Sequence, residues 1–221
     1  MAFSSGLVTK PIGILGGTFD PVHYGHLRMA IECHERLALA EVRLVPLHAP
    51  PHRRPPHAAP EHRLAMLKIA VGTTDHLKVD DCELQRQNIS YTIDTVSALR
   101  EKLGNTPICL LIGTDAFNTL PTWHRWQSLL DIVHIVVAER PGTILKPEHA
   151  ELNALFDKHD ATDATILHTT CNGKIFRLQI PWLDISATRI RDMLRMRHDP
   201  SYLLPDAVIE YIHTHTLYAS T

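Results

Sequence analysis

The chain has few cysteines, and their arrangement suggests neither a disulfide framework nor a metal centre. The four cysteines lie far apart, at Cys33, Cys82, Cys109 and Cys171, and no two of them form a Cys-x-x-Cys pair. Disulfides are typical of small secreted domains, whereas a chain of 221 residues buries enough surface to fold without them. We therefore expect four reduced thiols in a cytoplasmic protein.

Long apolar stretches and a basic charge excess are also missing. No stretch approaches the roughly 20 apolar residues that a membrane-spanning helix needs, and residues 1–10 lack the features of a signal peptide. The formal net charge of −2 is unlike that of nucleic-acid-binding proteins, which are typically basic. The sequence thus predicts no membrane partner and no nucleic-acid partner. Small anionic ligands remain possible, because local arginines bind them whatever the total charge.

Histidine, by contrast, is abundant, with sixteen residues in the chain. His48, His52, His57 and His62 follow one another at spacings of four and five residues in or beside a proline-rich stretch. A closed zinc site needs four well-placed ligands, and no cysteine or carboxylate pattern accompanies these histidines. We interpret them as solvated loop residues and predict no metal site built from protein side chains.

Apolar stretches alternate with segments of helical periodicity, which is typical of βα units and a parallel sheet. The strand candidates are Ile12–Gly16, Val42–Pro46, Leu77–Asp81, Ile108–Gly113, Ile132–Ala138 and Lys174–Leu178. The helix candidates are Tyr24–Leu39, Glu61–Val71, Thr92–Leu103, Arg125–Leu130, Pro147–His159, Ser186–Arg195 and Pro205–His213. Because the strands are short and continuously apolar, we expect helices on both faces of the sheet.

The alternation continues without an internal repeat, so we predict a single domain over residues 1–221. Within it, residues 1–10 form an N-terminal extension and residues 185–221 a C-terminal helical part. Composition changes only at Pro46–Pro60, which holds six prolines in fifteen residues. This segment is too rich in proline for a helix or a central strand. Its position after the second strand predicts a ligand-binding loop at the carboxyl edge of the sheet.

The most informative segment covers residues 16–26, Gly-Gly-Thr-Phe-Asp-Pro-Val-His-Tyr-Gly-His, between the first strand and the first helix. A glycine-rich turn at this place lets a phosphate approach the backbone and meet free N–H groups at the helix start. His23 and His26 add two imidazoles on the same side. The segment lacks the Gly-Lys-Ser/Thr ending of a P-loop and the third glycine of a dinucleotide-binding turn.

This segment resembles the signature of the nucleotidylyltransferase superfamily, whose core is His-x-Gly-His, and its long form resembles that of bacterial nicotinate-nucleotide adenylyltransferases. The resemblance implies a Rossmann-like α/β fold of the nucleotidyltransferase type. It also implies AMP transfer from ATP to nicotinate mononucleotide, giving deamido-NAD and pyrophosphate in NAD biosynthesis, with Mg²⁺ held by the ATP phosphates. By the same resemblance, His23 and His26 are catalytic and stabilise charge at the α-phosphate. The implied ATP-binding residues of this segment are Gly16, Gly17, Thr18, Phe19, His23 and His26.

Pro50-Pro51-His52-Arg53 is a second segment that matches the family. Relatives often carry lysine where this chain has Arg53. A guanidinium clamps phosphate with two hydrogen bonds, so we assign the catalytic role of the lysine to Arg53, with Arg54 as the adjacent alternative. The resemblance places His52 near the mononucleotide. A solvated basic loop is the alternative interpretation of this segment.

Residues 185–191, Ile-Ser-Ala-Thr-Arg-Ile-Arg, form the third segment. Ser186 is a good N-cap for the helix that follows, which offers a second helix N-terminus to phosphate. The family pattern here is Ile-Ser-Ser/Thr-Thr-x-Ile-Arg. The resemblance therefore implies that Ser186, Thr188 and Arg191 bind the β- and γ-phosphates, and that Arg191 stabilises the departing pyrophosphate as a catalytic residue.

Further predicted binding residues lie outside these three segments. Strand ends in open α/β sheets bind ligands, and the resemblance implies that Gly113 and Asp115 contact a nucleotide ribose, with Arg140 near the adenine. Asp115 as the cap of a short helix is the alternative. A pyridine ring stacks on an indole, and its carboxylate needs donors. The implied nicotinate mononucleotide residues are His52, Tyr91, Thr92, Trp123 and His124; for Trp123, a place in the core is the alternative.

Other functions remain open at this level. Within the superfamily, the acceptor is alternatively nicotinamide mononucleotide, phosphopantetheine, another nucleotide or a sugar phosphate. An aminoacyl-tRNA synthetase-like fold is a distant alternative, since no Lys-Met-Ser-Lys-Ser segment is present. A non-catalytic nucleotide sensor is an alternative of another class. The sequence leaves the oligomeric state open.

Overall fold

The computed structural model describes residues 9–48, 55–86, 91–139, 149–181 and 183–219. Its centre is a parallel sheet whose described strands are β1 (Ile12–Gly17), β2 (Glu41–Pro46), β3 (Leu77–Val79), β4 (Ile108–Gly113), β5 (His134–Glu139), β6 (Asp160–Ala161) and β7 (Ile175–Gln179). The strand order is β3-β2-β1-β4-β5-β7-β6, and every pairing is parallel. The predicted parallel sheet is confirmed.

The helices connect these strands and follow the last of them. They are α1 (Tyr24–Arg36), α2 (Pro60–Val71), α3 (Cys82–Arg86), α4 (Thr92–Leu103), α5 (Thr114–Asn118), α6 (Ala150–His159), α7 (Ile166–Thr169), α8 (Ala187–Arg195) and α9 (Asp206–Thr214), with 3₁₀ segments at Leu120–Thr122 and Trp126–Asp131. No helix in these ranges is long and apolar enough to cross a lipid bilayer.

The core has two layers, one on each face of the sheet. Along β4, Ile108, Leu110 and Ile112 belong to one buried cluster, whereas the alternating Cys109 and Leu111 belong to the other. The first cluster includes residues of α4 and α6, and the second includes residues of α1, α2, α8 and α9. Apolar side chains on both faces explain the continuously apolar strands, and the expectation of helices on both faces is confirmed.

The direction in which the chain winds changes between β1 and β4. β1 pairs with β2 on one side and with β4 on the other, so that Ile12 lies opposite both Glu41 and Ile108. The first three strands extend to one edge of the sheet and the later strands to the other. In open α/β sheets such a switch point leaves a crevice beyond the carboxyl ends of the strands.

Some predicted boundaries are wrong for local reasons. The first helix ends at Arg36 rather than Leu39, because Ala38 adopts a left-handed φ of 47° and Leu37 and Leu39 turn into the core. The third strand stops at Val79, and the Asp80 carboxylate accepts from the Cys82 N–H at 3.1 Å at the start of α3. That short helix was not predicted from the sequence, and neither were α7 and the two-residue strand β6.

The segment predicted as a helix at Arg125–Leu130 is a 3₁₀ helix at Trp126–Asp131. It follows Arg125, whose φ is 52°, so no regular α-helix starts at that residue. His62, interpreted as a loop histidine, lies in α2, where its Nδ1 is 2.9 Å from the Tyr211 hydroxyl. That interpretation is therefore wrong for His62.

The four cysteines are free, as predicted. Cys33 and Cys109 are fully buried between the sheet and its helices. Burial raises the pKa of the Cys33 thiol to about 12 and that of the Cys82 thiol to about 12. These thiols stay protonated at neutral pH and have little nucleophilic character.

Candidate active site

A cavity of about 830 Å³ opens at the carboxyl edge of the sheet. Its wall includes Gly17 and Thr18 at the end of β1, Asp115 after β4, and Ile180 after β7. The first residues of α1 and α8 complete the wall. The cavity thus occupies the crevice at the switch point, where two helix N-termini face the same space.

Two glycines of the signature segment, Gly17 and Gly25, lie in close contact with aromatic rings. A Cβ on Gly17 would lie 3.0 Å from the Phe19 ring, and a Cβ on Gly25 would lie 3.0 Å from the His23 ring. Phe19 is 1% exposed and meets the edge of the His26 ring at a centroid distance of 5.0 Å. The two glycines therefore let Phe19 and His23 lie against the backbone, which fixes both imidazoles.

The two histidines of the signature are stacked. Their ring centroids are 3.7 Å apart, with 27° between the ring planes. The His23 backbone N–H donates to the His26 Nδ1 at 3.3 Å. A neutral His26 must then carry its proton on Nε2, so its remaining donor is the opposite ring nitrogen. Among the described residues, none provides a hydrogen-bond partner for the buried Nδ1 of His23.

Burial keeps both imidazoles uncharged. It lowers the pKa of His23 from 6.5 to about 4. Burial, followed by the neighbouring His23, also holds the pKa of His26 well below its usual value. Near neutral pH the two rings therefore offer N–H donors rather than positive charges, which allows them to stack without repulsion.

The start of α8 is bonded directly to the signature turn. The Ser186 Oγ accepts from the Arg189 N–H at 3.2 Å, so the predicted N-cap is confirmed. Arg191 donates through Nη1 to the Asp20 carbonyl oxygen at 2.7 Å and through Nη2 to the Thr188 Oγ1 at 3.1 Å. Two segments that the sequence analysis treated separately thus form one wall. In the described part of the chain, the buried Nε of Arg191 has no hydrogen-bond partner.

The carboxylate of Asp20, which also belongs to the cavity wall, binds donors from two other segments. Asp20 is 3% exposed. Its Oδ2 accepts from the His57 N–H at 2.7 Å, and its Oδ1 accepts from the Ala58 N–H at 3.0 Å and from the Tyr218 hydroxyl at 2.7 Å. Donors from two distant parts of the chain therefore occupy this carboxylate. Asp20 is part of the signature, but no role for it was predicted from the sequence.

Arg63 of α2 is fully buried and was also missed. Its guanidinium donates to the carbonyl oxygens of Thr18 at 2.8 Å, His48 at 3.1 Å and Ala58 at 3.2 Å. These bonds tie the signature turn to residues on either side of the segment 49–54. One sequence signal was present, because Arg63 shares a helical face with the buried Met66 and falls where an apolar residue is expected.

Most of the predicted phosphate-site residues line one cavity. The residues placed there are Gly17, Thr18, Phe19, His23, His26, Asp115, Ser186, Thr188 and Arg191. Gly16 and Gly113 are not part of its lining. Gly113 is the N-cap of α5 and Asp115 lies inside that helix, so the alternative that Asp115 is the cap is wrong. His52, Arg53, Arg54 and Arg140 lie outside the described residues.

The residues predicted to hold the pyridine ring form a separate group. The rings of Tyr91 and His124 are 4.5 Å apart, and Thr92 is the first residue of α4. Trp123 is partly buried and packs against the same core cluster as Tyr91. None of these four residues lines the cavity as described, and their predicted role in binding stays a prediction.

No group of three or more histidine, cysteine, aspartate or glutamate residues in the described ranges could hold a metal ion. The cavity wall contains two carboxylates, Asp20 and Asp115. Protein donors already occupy the carboxylate of Asp20. This donor set fits a cation that arrives on an anionic ligand better than a cation held by the protein.

A family model described as cytidylyltransferase-like matches residues 14–193, from β1 into α8. The curated probable nicotinate-nucleotide adenylyltransferase of Aeromonas salmonicida is 48% identical over 96% of this chain and 99% of that protein. The chain belongs to this adenylyltransferase family. The corresponding protein of Methylococcus capsulatus is 49% identical over 94% of this chain and 99% of that protein. Membership confirms the resemblance that the signature indicated.

Solved structures support the adenylyltransferase fold. The nicotinic acid mononucleotide adenylyltransferase of Plasmodium falciparum, complexed with NaAD, has a TM-score of 0.72 at 21% identity, covering 95% of this chain and 97% of that one. Another structure of that protein, complexed with APC, has a TM-score of 0.68 at 20% identity. The fold is therefore that of a nucleotidyltransferase.

The buried histidines of this adenylyltransferase make its stability depend on pH. The unfolded chain protonates His23 near pH 6.5, whereas the folded protein does so only near pH 4, so acid favours unfolding between these values. We expect the wild type to lose about 2 kcal/mol more than His23→Gln when the pH falls from 7 to 5. Urea unfolding of both proteins at the two pH values measures this difference.

The exposed His213 provides a matched control for this measurement. His213→Gln removes a histidine from the surface of α9 and should follow the wild type. An equal pH dependence in wild type and His23→Gln would contradict the neutral, buried state of His23.

Proposed function

We propose that the protein transfers AMP from ATP to nicotinate mononucleotide, forming deamido-NAD (nicotinate adenine dinucleotide) and pyrophosphate in NAD biosynthesis. One observation carries this proposal: the N-termini of α1 and α8 face a single cavity that His23, His26 and Arg191 also line. Such a site attracts a chain of phosphates, because the helix ends and the side-chain donors all favour negative charge. The names of the curated relatives support the choice of acceptor.

The reaction joins two phosphates in a single displacement. An oxygen of the mononucleotide phosphate attacks the α-phosphorus of ATP, a new O–P bond forms, and the bond to the β-phosphate oxygen breaks to release pyrophosphate. That phosphate is ionised at neutral pH, so no side chain has to remove a proton from the nucleophile. Catalysis then rests on alignment of the two substrates and on stabilisation of the charge that develops.

We assign the α-phosphate to the start of α1 and the leaving pyrophosphate to the start of α8. The Nε2 of His26 is the donor left free by its bond to the backbone. A phosphate beside His23 and His26 favours their protonated forms and offsets the effect of burial on their pKa values. At the start of α8, the β- and γ-phosphates bind to Ser186, Thr188 and Arg191. At the turn after β1, we propose that a phosphate approaches the backbone of Gly16, Gly17 and Thr18.

The remaining walls of the cavity suit an adenosine. Ile180, Pro181 and Leu183 form an apolar surface on the side of β7, which suits a flat base. Asp115 is exposed in the cavity wall and can accept hydrogen bonds from ribose hydroxyls, and we assign Gly113, two positions earlier, to the same ribose. From the sequence alone, we assign Arg140 to the adenine and Arg53 to the phosphates.

Mg²⁺ enters this scheme as part of the substrate MgATP. The described side chains provide no carboxylate group that could hold the ion by itself. Two polyanions repel each other, and an ion on the ATP phosphates reduces that repulsion. The protein's own contribution is to hold the phosphates with the imidazoles, the helix N-termini and Arg191. We place this reaction in the cytoplasm, where free thiols persist.

The pyridine end of the acceptor is assigned to His52, Tyr91, Thr92, Trp123 and His124. The rings of Tyr91 and His124 are in contact, and Trp123 packs against the same core cluster as Tyr91. The hydroxyl of Thr92 and the N–H groups at the start of α4 suit a carboxylate on the ring. These features favour nicotinate mononucleotide over an acceptor without an aromatic acid.

The test of the proposed function is pyrophosphate release by the purified protein with ATP and Mg²⁺. Nicotinate mononucleotide, nicotinamide mononucleotide and phosphopantetheine are compared side by side. We expect strong turnover with the acid form. Turnover only with another acceptor would contradict the assignment of the pyridine-binding residues. ATP binding without turnover on any acceptor would favour the non-catalytic nucleotide sensor.

The signature histidines should be essential for turnover. Removal of one transition-state donor commonly lowers the rate by about 10²–10³, and we expect at least this loss in kcat for His23→Ala and for His26→Ala. Steady-state kinetics with nicotinate mononucleotide measure it, and circular dichroism checks folding. The surface variant His213→Ala should keep wild-type turnover; folded signature variants with near wild-type kcat would contradict the assignment.

Trp123 should affect the acceptor rather than ATP. We expect Trp123→Ala to raise the KM for nicotinate mononucleotide by about tenfold, since loss of ring stacking removes about 1 kcal/mol or more of binding. Trp123→Phe retains an aromatic face and should recover most of that loss. An unchanged mononucleotide KM would leave Trp123 as a core residue only.

A further inference from the structure

We propose that Tyr218, near the C-terminus, is a positioning residue of the phosphate site. Its hydroxyl fixes Asp20, and Asp20 in turn fixes Arg191. The role in turnover rests on the function proposed above, whereas the geometric role can be tested by ligand binding alone. Tyr218 belongs to none of the segments that indicated the family, and its connection to the cavity arises only in the folded chain.

The connection consists of two short hydrogen bonds through one residue. The Tyr218 hydroxyl donates to the Asp20 Oδ1 at 2.7 Å across 198 positions of sequence. The carbonyl oxygen of Asp20 accepts from the Arg191 Nη1 at 2.7 Å. Two residues of the C-terminal helical part thus hold both the side chain and the backbone of Asp20. A change in the orientation of Asp20 would move the anchor of Arg191.

The surroundings of Tyr218 keep its phenol protonated near neutral pH. Burial, followed by the neighbouring Asp20 carboxylate, raises the pKa of the Tyr218 phenol above its usual value. The phenol therefore remains a donor. Asp20 is also subject to the charge of Arg63, which interacts with both Asp20 and Tyr218. A buried carboxylate in this position needs every one of its donors.

The backbone conformation of Tyr218 indicates that the segment after α9 has a defined position. Its φ is 63°, in the left-handed region that is unfavourable for residues other than glycine. Leu217 and Tyr218 also pack against the core cluster that contains α9. A strained backbone conformation persists only where surrounding contacts stabilise it. At Tyr218, the hydrogen bond to Asp20 and the packing of Leu217 provide these contacts.

The test compares two tyrosines that each lose only a hydroxyl. Tyr218→Phe removes the bond to Asp20, whereas Tyr211→Phe removes the bond between α9 and His62 of α2. Small misplacements at an active site commonly lower rates by factors of up to about 10², and we expect Tyr218→Phe to lower kcat by about tenfold. Tyr211→Phe should leave kcat unchanged. Thermal unfolding of both variants separates this effect from a general loss of stability.

A double-mutant cycle identifies the route of the effect. If Tyr218 acts through Arg191, then Tyr218→Phe should change kcat by less than about twofold in an Arg191→Gln background, because coupled residues are not additive. Losses that multiply in the double variant would overturn the proposed route. An unchanged kcat in the single variant Tyr218→Phe would overturn the proposal itself.

Ligand binding distinguishes failure of this proposal from failure of the proposed function. Calorimetry with a non-hydrolysable ATP analogue does not depend on the acceptor. We expect Tyr218→Phe to weaken binding of the analogue by several-fold and Tyr211→Phe to leave it unchanged. If the wild type released no pyrophosphate with any acceptor, the proposed function would fail, and the analogue would still decide the role of Tyr218: equal affinities in wild type and Tyr218→Phe would overturn it.

Discussion

The buried carboxylate of Asp20 is the constraint on which the rest of the site depends. A carboxylate removed from water is strongly unfavourable unless hydrogen bonds replace its hydration. Donors from residues 57–58 and from Tyr218 meet this requirement, and its backbone carbonyl holds Arg191. Three distant segments must therefore come together behind the signature turn before Asp20 is satisfied. The phosphate-facing wall is a consequence of that requirement.

The sheet determines where this wall can form. Parallel strands bring their carboxyl ends to one edge, and the reversal of winding between β1 and β4 opens a crevice there. The helices α1 and α8 then start at the same cavity although they are far apart in sequence. Their N-termini supply positive potential that needs no charged side chain. This arrangement suits a ligand whose own charge is high and negative.

The electrostatic character of the site differs from that of a simple basic pocket. The stacked imidazoles of His23 and His26 are neutral, because burial disfavours their charged forms. Their donors are held in place by the backbone of His23 and by the ring of Phe19. Arg191 contributes a permanent positive charge to the cavity wall. Donors that are fixed before the substrate arrives need little reorganisation during the reaction, which is the property that favours charge stabilisation in the transition state.

The sequence by itself determined the features that depend on neighbouring residues. These include the apolar strands, the glycine turn before α1, the Ser186 cap and the family signature, since periodicity, caps and tight turns arise within a few residues. The short helix α3 and the 3₁₀ form of Trp126–Asp131 departed from that pattern because one carboxylate and one left-handed residue redirected the chain. Only the tertiary structure decided that Arg63, Asp20, Arg191 and Tyr218 meet, and that Trp123 is not among the residues that line the cavity. Such contacts join positions up to 198 residues apart, and their partners are chosen by the packing of whole elements on the sheet, which no local pattern encodes.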